Sequence, residues 1–313
     1  MRCVVRRVIA LFVALVVLGS PAWASRGRLG EIASADMVLK WISAYRAQPA
    51  PGDLPDAVKA LSRLGAFKDP EGAGVYVGFI AGIIASNPGR TDELIGKMTA
   101  IAPEDHWVIV RGIVYSGLPQ WKVLLTRFTE RMPTRKRMIE KYLNGELPTF
   151  DQLPFDAKVG WFDTMRGYLS WEHYFGKTPH KVVLEPNPEL LDALWGYYFA
   201  TGSELSLTRI VAMLPWSKDR DNIDKLTLGS MAKYTLVRNA VRDSDLLLRL
   251  HRLEQSANAG AVQSAKADQS EAEKQKAERQ KEVAPILKEV VEAAERILNN
   301  SGATIRASRK PRG

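Results

Sequence analysis

Cysteine is all but missing: Cys3 is the only one among 313 residues. Everything downstream of it therefore lacks disulfides, thiol nucleophiles and cysteine-ligated metal centres. Histidine is scarce as well, with four in the chain. None of His106, His173, His180 and His251 stands in the His-Glu-x-x-His spacing of a zinc protease. His173 and His180 are seven apart with Glu172 adjacent, but Pro179 breaks the register and no third ligand joins them. No uninterrupted apolar run approaches the roughly 20 residues that a membrane-crossing helix requires.

Catalytic signatures are absent too. There is no Gly-x-Ser-x-Gly elbow and no glycine loop ending in Gly-Lys-Ser/Thr, and Gly72, Gly74 and Gly78 miss the dinucleotide spacing. Asp219, Asp221 and Asp224 lack the spacing and turn glycine of a calcium loop and suit the acidic start of a helix. The sequence assigns no catalytic residue, cofactor or metal.

What is present begins with a leader pattern. Arg2, Arg6 and Arg7 precede an apolar run from Val8 to Leu18, followed by Gly19, Ser20, Pro21 and Ala22-Trp23-Ala24. Positive, apolar and small-residue regions in that order predict a secretory signal peptide over 1–24, cleaved after Ala24. Its removal leaves 289 residues with 41 basic and 35 acidic side chains and no cysteine. A thiol-free exported chain fits the periplasm or exterior of a bacterium. Export also argues against nucleic acid as a partner.

Hydrophobic residues make up 46% of the chain and charged ones 25%, enough to bury a core. Apolar positions recur at i, i+3, i+4, i+7, as in Val38, Trp41, Ile42, Tyr45, in Trp121, Leu124, Leu125, Phe128, and in Leu207, Ile210, Val211, Leu214. Prolines at 49, 51, 88, 103, 133, 148, 154, 186 and 215 punctuate these stretches. The fold class expected is all-α, built of stacked helical hairpins with a long C-terminal helical extension. Val182-Val183-Leu184 and the β-branched run Trp107 to Tyr115 keep a minor α+β alternative open.

Two patterns refine this expectation. Gly74, Gly78, Gly82 and Ser86 recur every four residues and predict a buried central helix with one smooth stripe, against which a second backbone can lie. Ser86-Asn87-Pro88 leading through Leu94, Ile95 and Met98 to Pro103 resembles Ser116 to Pro119 leading through Leu124, Leu125 and Phe128 to Pro133. Thr201-Gly202-Ser203 leading to Pro215 offers a third copy. A repeated hairpin is the unit of an irregular α-solenoid.

The domain plan follows composition: a helical body over 25–254, a polar helical or flexible linker over 255–282, an amphipathic helix over 283–302 and a basic tail over 303–313. Asn299-Asn300-Ser301-Gly302 is the expected helix stop. The last helix packs on the body or on a partner.

The candidate ligand-binding residues lie in an aromatic stretch: Trp161, Arg166, Trp171, Glu172 and His173. Ring faces beside polar groups can line a groove for a peptide or glycan. Arg131, Arg135, Lys136 and Arg137, like the tail, could meet an anionic membrane surface weakly. The function expected is an exported envelope module that binds or scaffolds a protein or peptide partner. The alternative is a periplasmic enzyme acting on cell-wall glycan through dispersed carboxylates.

Overall fold

The computed structural model describes residues 34–150, 187–263 and 271–308. Among the described residues there are twelve α-helices and no strand. They are α1 (Ala35–Ala44), α2 (Leu54–Arg63), α3 (Gly74–Ser86), α4 (Thr91–Met98), α5 (His106–Val114), α6 (Trp121–Phe128), α7 (Lys136–Leu143), α8 (Pro188–Thr201), α9 (Glu204–Ala212), α10 (Ile223–Ala240), α11 (Ser244–Gln263) and α12 (Glu271–Ser308). The chain is all-α, as its periodicity predicts. The leader and the stretch Val182 to Leu184 lie outside the described residues.

Proline sets where several helices begin. Short 3-10 turns at Pro51–Asp53, Pro88–Arg90, Pro103–Asp105 and Pro133–Arg135 lead directly into α2, α4, α5 and α7. At a helix entrance the missing proline N–H costs nothing and the fixed φ favours the turn. Elsewhere side chains cap. Asn187 accepts from the Leu190 N–H at 2.7 Å and Asn222 from the Lys225 N–H at 3.0 Å. Two exits share one device: Gly65 and Gly145 take φ of 71° and 75°, and the next N–H reaches back to Leu61 and Lys141 carbonyls at 3.0 and 2.8 Å.

The centre is α3, apolar all round and buried from Tyr76 to Ile84. Its glycine stripe meets α8. A β-carbon on Gly74 would strike the Glu189 carbonyl, one on Gly78 the Ala193 carbonyl, and one on Gly82 would come 2.6 Å from the Ala200 Cβ. From the other side, Gly196 faces the Val75 carbonyl and sits where a Cβ would be 2.7 Å from the Phe79 nitrogen. The two helices therefore cross backbone to backbone. Ser86 is exposed, so the stripe ends at Gly82. On a further side of α3, Gly112 of α5 accommodates the Ile80 side chain.

The β-branched run Trp107 to Tyr115 is helix α5 and its cap. Strand propensity gives way because the Pro103–Asp105 turn starts a helix and both neighbours, α3 and α6, offer helical surfaces.

The pairs α4–α5 and α6–α7 stand thirty positions apart, with starts at 91 and 121, then 106 and 136. Leu94 and Leu124, Ile95 and Leu125, Met98 and Phe128, Ile109 and Ile139 are buried at matching positions. The stretch from Thr201 to Pro215 holds α9 and the start of the proline-bearing 3-10 turn Leu214–Lys218, and α10 follows, but with other lengths.

At the C-terminal end, α12 packs on α10 and α11 through Val283, Ala284, Ile286, Leu287, Val290, Val291 and Ala294. The amphipathic face docks on the body. Helix α12 starts upstream of Val283, and Asn299-Asn300-Ser301-Gly302 is not its stop; the helix continues to Ser308. A glycine or asparagine commonly ends a helix by turning left-handed, and here Asn299 to Gly302 all stay helical. Pro285 lies inside α12 on its exposed side, where the carbonyl it leaves unpaired can meet water.

Candidate ligand cleft

Trp161, Arg166, Trp171, Glu172 and His173 lie outside the described residues. The described residues instead bring together a cleft from three separate segments: the loop after α2, the entrance of α5 and the entrance of α7. It is an open cleft of about 460 Å³, a volume within the range of small-ligand pockets.

Its apolar lining comes from Phe67 and Trp107, both buried, with half-buried Met138 and exposed Pro70. Its polar lining is Lys68, Glu104, Asp105, Arg111 and Arg135. Trp107 and Arg111 are one turn apart on α5, which places the guanidinium 5.2 Å from the indole centroid.

Each charge has a traceable environment. Arg111 forms an ion pair with Glu189 of α8, while its Nε has no partner among the described residues. Burial raises the Glu189 carboxyl and the Arg111 cation pulls it back down. Tyr115 and Tyr142 sit behind this pair, and burial pushes both phenols up. Asp105 is spent structurally, accepting from the Ser62 hydroxyl at 2.6 Å.

Arg135 donates through Nη2 to the Glu104 carbonyl, and Thr134 donates to the Pro103 carbonyl at 2.8 Å. These two bonds fasten the entrance of α7 to that of α5 and fix the width of the cleft. The Nε of Arg135 is buried without a partner among the described residues.

A smaller cleft of about 260 Å³ lies between α9 and α11, lined by Glu204, Leu207, Thr208, Arg249, Arg252 and Leu253. Arg249 is already engaged there, donating to Asp245 at 2.9 Å and to the Gly202 carbonyl at 3.0 Å.

His106 is buried at the start of α5, with Nε2 3.0 Å from the Thr99 carbonyl. Asp219 accepts from the Asp221 N–H at 3.2 Å ahead of the Asn222 cap, the helix-start role expected of that cluster. Asp192, half-buried on α8, has its carboxyl raised to about 6 by desolvation.

The cleft escaped sequence analysis because its three segments are far apart along the chain. Two signals pointed to it. Trp107 and Arg111 share a helix face, and the thirty-residue register sets Arg135 at the position matching Asp105. No family model, curated protein or solved structure matches this chain. Among the described residues no helix is long and apolar enough to cross a membrane.

Proposed function

We propose that this protein is an exported helical binding module of the bacterial envelope, and that it grips a segment of a protein partner in the cleft between α5 and α7. The observation that carries this is the cleft's composition. Buried Phe67 and Trp107 and half-buried Met138 stand beside the guanidinium groups of Arg111 and Arg135, each with a buried Nε that has no partner among the described residues. Apolar area supplies affinity and a few placed polar groups supply orientation. The matching helix pairs α4–α5 and α6–α7 support a further element, that the body is an irregular α-solenoid whose stacked hairpins present this surface. Export rests on the leader pattern over 1–24 and the thiol-free remainder.

A photo-crosslinking side chain at position 138, with a second at exposed Leu64 as control, tests the binding site in envelope extract. A defined peptide joined to position 138 and not to position 64 is the expected result. Equal labelling from both positions counts against the cleft. Intact mass of the exported chain tests the leader, and a start at Ser25 is expected.

A further inference from the structure

We propose that the exposed face of α7, joined by Lys122 of α6, docks this protein on an anionic phospholipid surface. The contact lies outside the cleft and does not depend on what the cleft binds.

Helical spacing builds the face. Lys136, Arg137, Glu140, Lys141 and the cap residue Asn144 are exposed, whereas Ile139 and Tyr142 are buried. At 3.6 residues per turn the exposed five fall within one arc of about 140°. Lys122, exposed at the start of α6, donates through Nζ to the Leu143 carbonyl at 3.4 Å, which brings a fourth cation to the end of α7.

The charges of the hairpin do not cancel. Arg127 pairs with Asp92, Arg135 is held at the Glu104 carbonyl, and Arg131 follows Glu130 in the chain, one acid to each cation. That leaves Lys122, Lys136, Arg137 and Lys141, none with an ion-pair partner among the described residues. The acids that remain beside them are Glu140 within the arc and Glu146 past the helix end. Cations stay in excess after the neighbouring acids are counted, and a surface of that sign attracts anions.

Packing does not demand this charge. Residues 89–116 and 119–146 are the two hairpins in matching register, yet the first carries three basic and four acidic side chains and the second seven and three. The buried apolar positions persist between them, while Asp92 corresponds to Lys122 and buried Trp107 to exposed Arg137.

The chemistry of the face favours lipid over a folded acidic partner. Three of its four cations are lysines, compact and strongly hydrated charges on flexible stems, whereas fixed carboxylates are usually met by arginine forks. The four line neither cleft. Mobile charge along a convex helix suits headgroups that are free to rearrange beneath it, and basic clusters near an anionic leaflet are drawn to it in this way. Val123, next to Lys122 and 59% exposed, adds a small apolar contact at the same edge.

The test is co-sedimentation of the exported chain with vesicles of phosphatidylcholine alone and of equal parts phosphatidylcholine and phosphatidylglycerol. Lys136→Gln, Arg137→Gln and Lys141→Gln are combined in one variant. A control combines Lys40→Gln, Lys59→Gln and Lys288→Gln, exposed lysines of α1, α2 and α12 that remove the same charge elsewhere. Both are checked for an unchanged helical melt. Binding to the anionic vesicles alone is expected. A cation near such a surface is worth about fivefold, so the α7 variant should bind at least about tenfold more weakly and the control within about twofold of the parent. Raising salt from about 0.1 M to about 1 M cuts the screening length from about 10 Å to about 3 Å and should release the chain.

No binding of the parent to anionic vesicles overturns the proposal. Equal loss in the two variants assigns binding to net charge and overturns the face. Binding that is indifferent to phosphatidylglycerol or survives high salt overturns the electrostatic contact. Tighter capture by poly-glutamate than by vesicles of equal anionic charge overturns the lipid in favour of an acidic polymer. Loss of peptide crosslinking at position 138 removes the cleft function and leaves this contact standing.

Discussion

Gly78 on α3 and Ala193 on α8 touch through their backbones: a β-carbon added to Gly78 would lie 2.7 Å from the Ala193 Cα and closer still to its carbonyl. Neither backbone can yield as a flexible side chain would. Gly78→Ala gains about 1 kcal/mol of helix propensity and forces apart the crossing at the centre of the core. Overpacking costs about 1 to 3 kcal/mol where side chains can adjust, and here they cannot. A net loss of about 2 kcal/mol or more is expected in urea unfolding. Gly89→Ala is the control, since nothing lies within 4 Å of the added carbon; it should be neutral or stabilise by up to about 1 kcal/mol. If both variants unfold alike, the close crossing is wrong.

The crossing also shows how far residue spacing carries. The four-residue recurrence of Gly74, Gly78 and Gly82 marked a smooth stripe, because on a helix that interval keeps residues on one face. The partner was not legible: Gly196 is one glycine in an aromatic stretch, and its pairing depends on tertiary register. Likewise, Val283 to Ala294 announced an amphipathic face, but its docking on α10 and α11 is fixed by shapes assembled elsewhere. The cleft was the least legible part. Lys68, Trp107 and Arg135 come from segments that only the fold brings together, whereas the aromatic stretch chosen from sequence lies outside the described residues.

Asp192 sets a pH dependence. Its carboxyl titrates near 6 in the folded chain, raised from 3.8 by burial. Below about pH 4 both folded and unfolded forms are protonated and the residue is neutral in effect. As pH rises from 4 to 6 the unfolded chain releases its proton first, so stability falls, and it levels off above 6. At 1.36 kcal/mol per unit the loss has a ceiling of about 3 kcal/mol, and partial exposure lowers it toward about 1 to 2. Asp192→Asn should therefore be more stable than the parent at pH 7.5 and equal to it at pH 4. Thermal melts at the two pH values decide this; a difference that does not change with pH would refute it.

Trp195 and Thr235 join α8 to α10. The indole N–H of Trp195, a buried residue, donates to the Thr235 hydroxyl at 2.9 Å, and that hydroxyl donates in turn to the Met231 carbonyl at 2.8 Å. Thr235→Val keeps the shape and leaves the indole donor unpaired, which costs about 1 to 3 kcal/mol. Thr235→Ser keeps the acceptor and should lose less. Equilibrium denaturation of the three proteins checks the order; equal loss in both variants would assign the effect to packing.

Helix α12 should divide sharply in its sensitivity to substitution. Leu287 is buried against the body, at 1% exposure, whereas Leu298, three turns on, is 38% exposed. Removing buried methyl groups costs the lost transfer energy and leaves a cavity, so Leu287→Ala should destabilise by about 2 to 5 kcal/mol. Leu298→Ala removes surface that water already reaches, and surface changes stay within about 0.5 kcal/mol. Urea midpoints at constant slope measure both. If α12 were instead loosely tethered, the two variants would unfold together with the parent. Amide exchange adds a second reading of the same contrast: protection should be high from Val283 to Ala294 and fall along the following turns, because their hydrogen bonds lack an apolar cover.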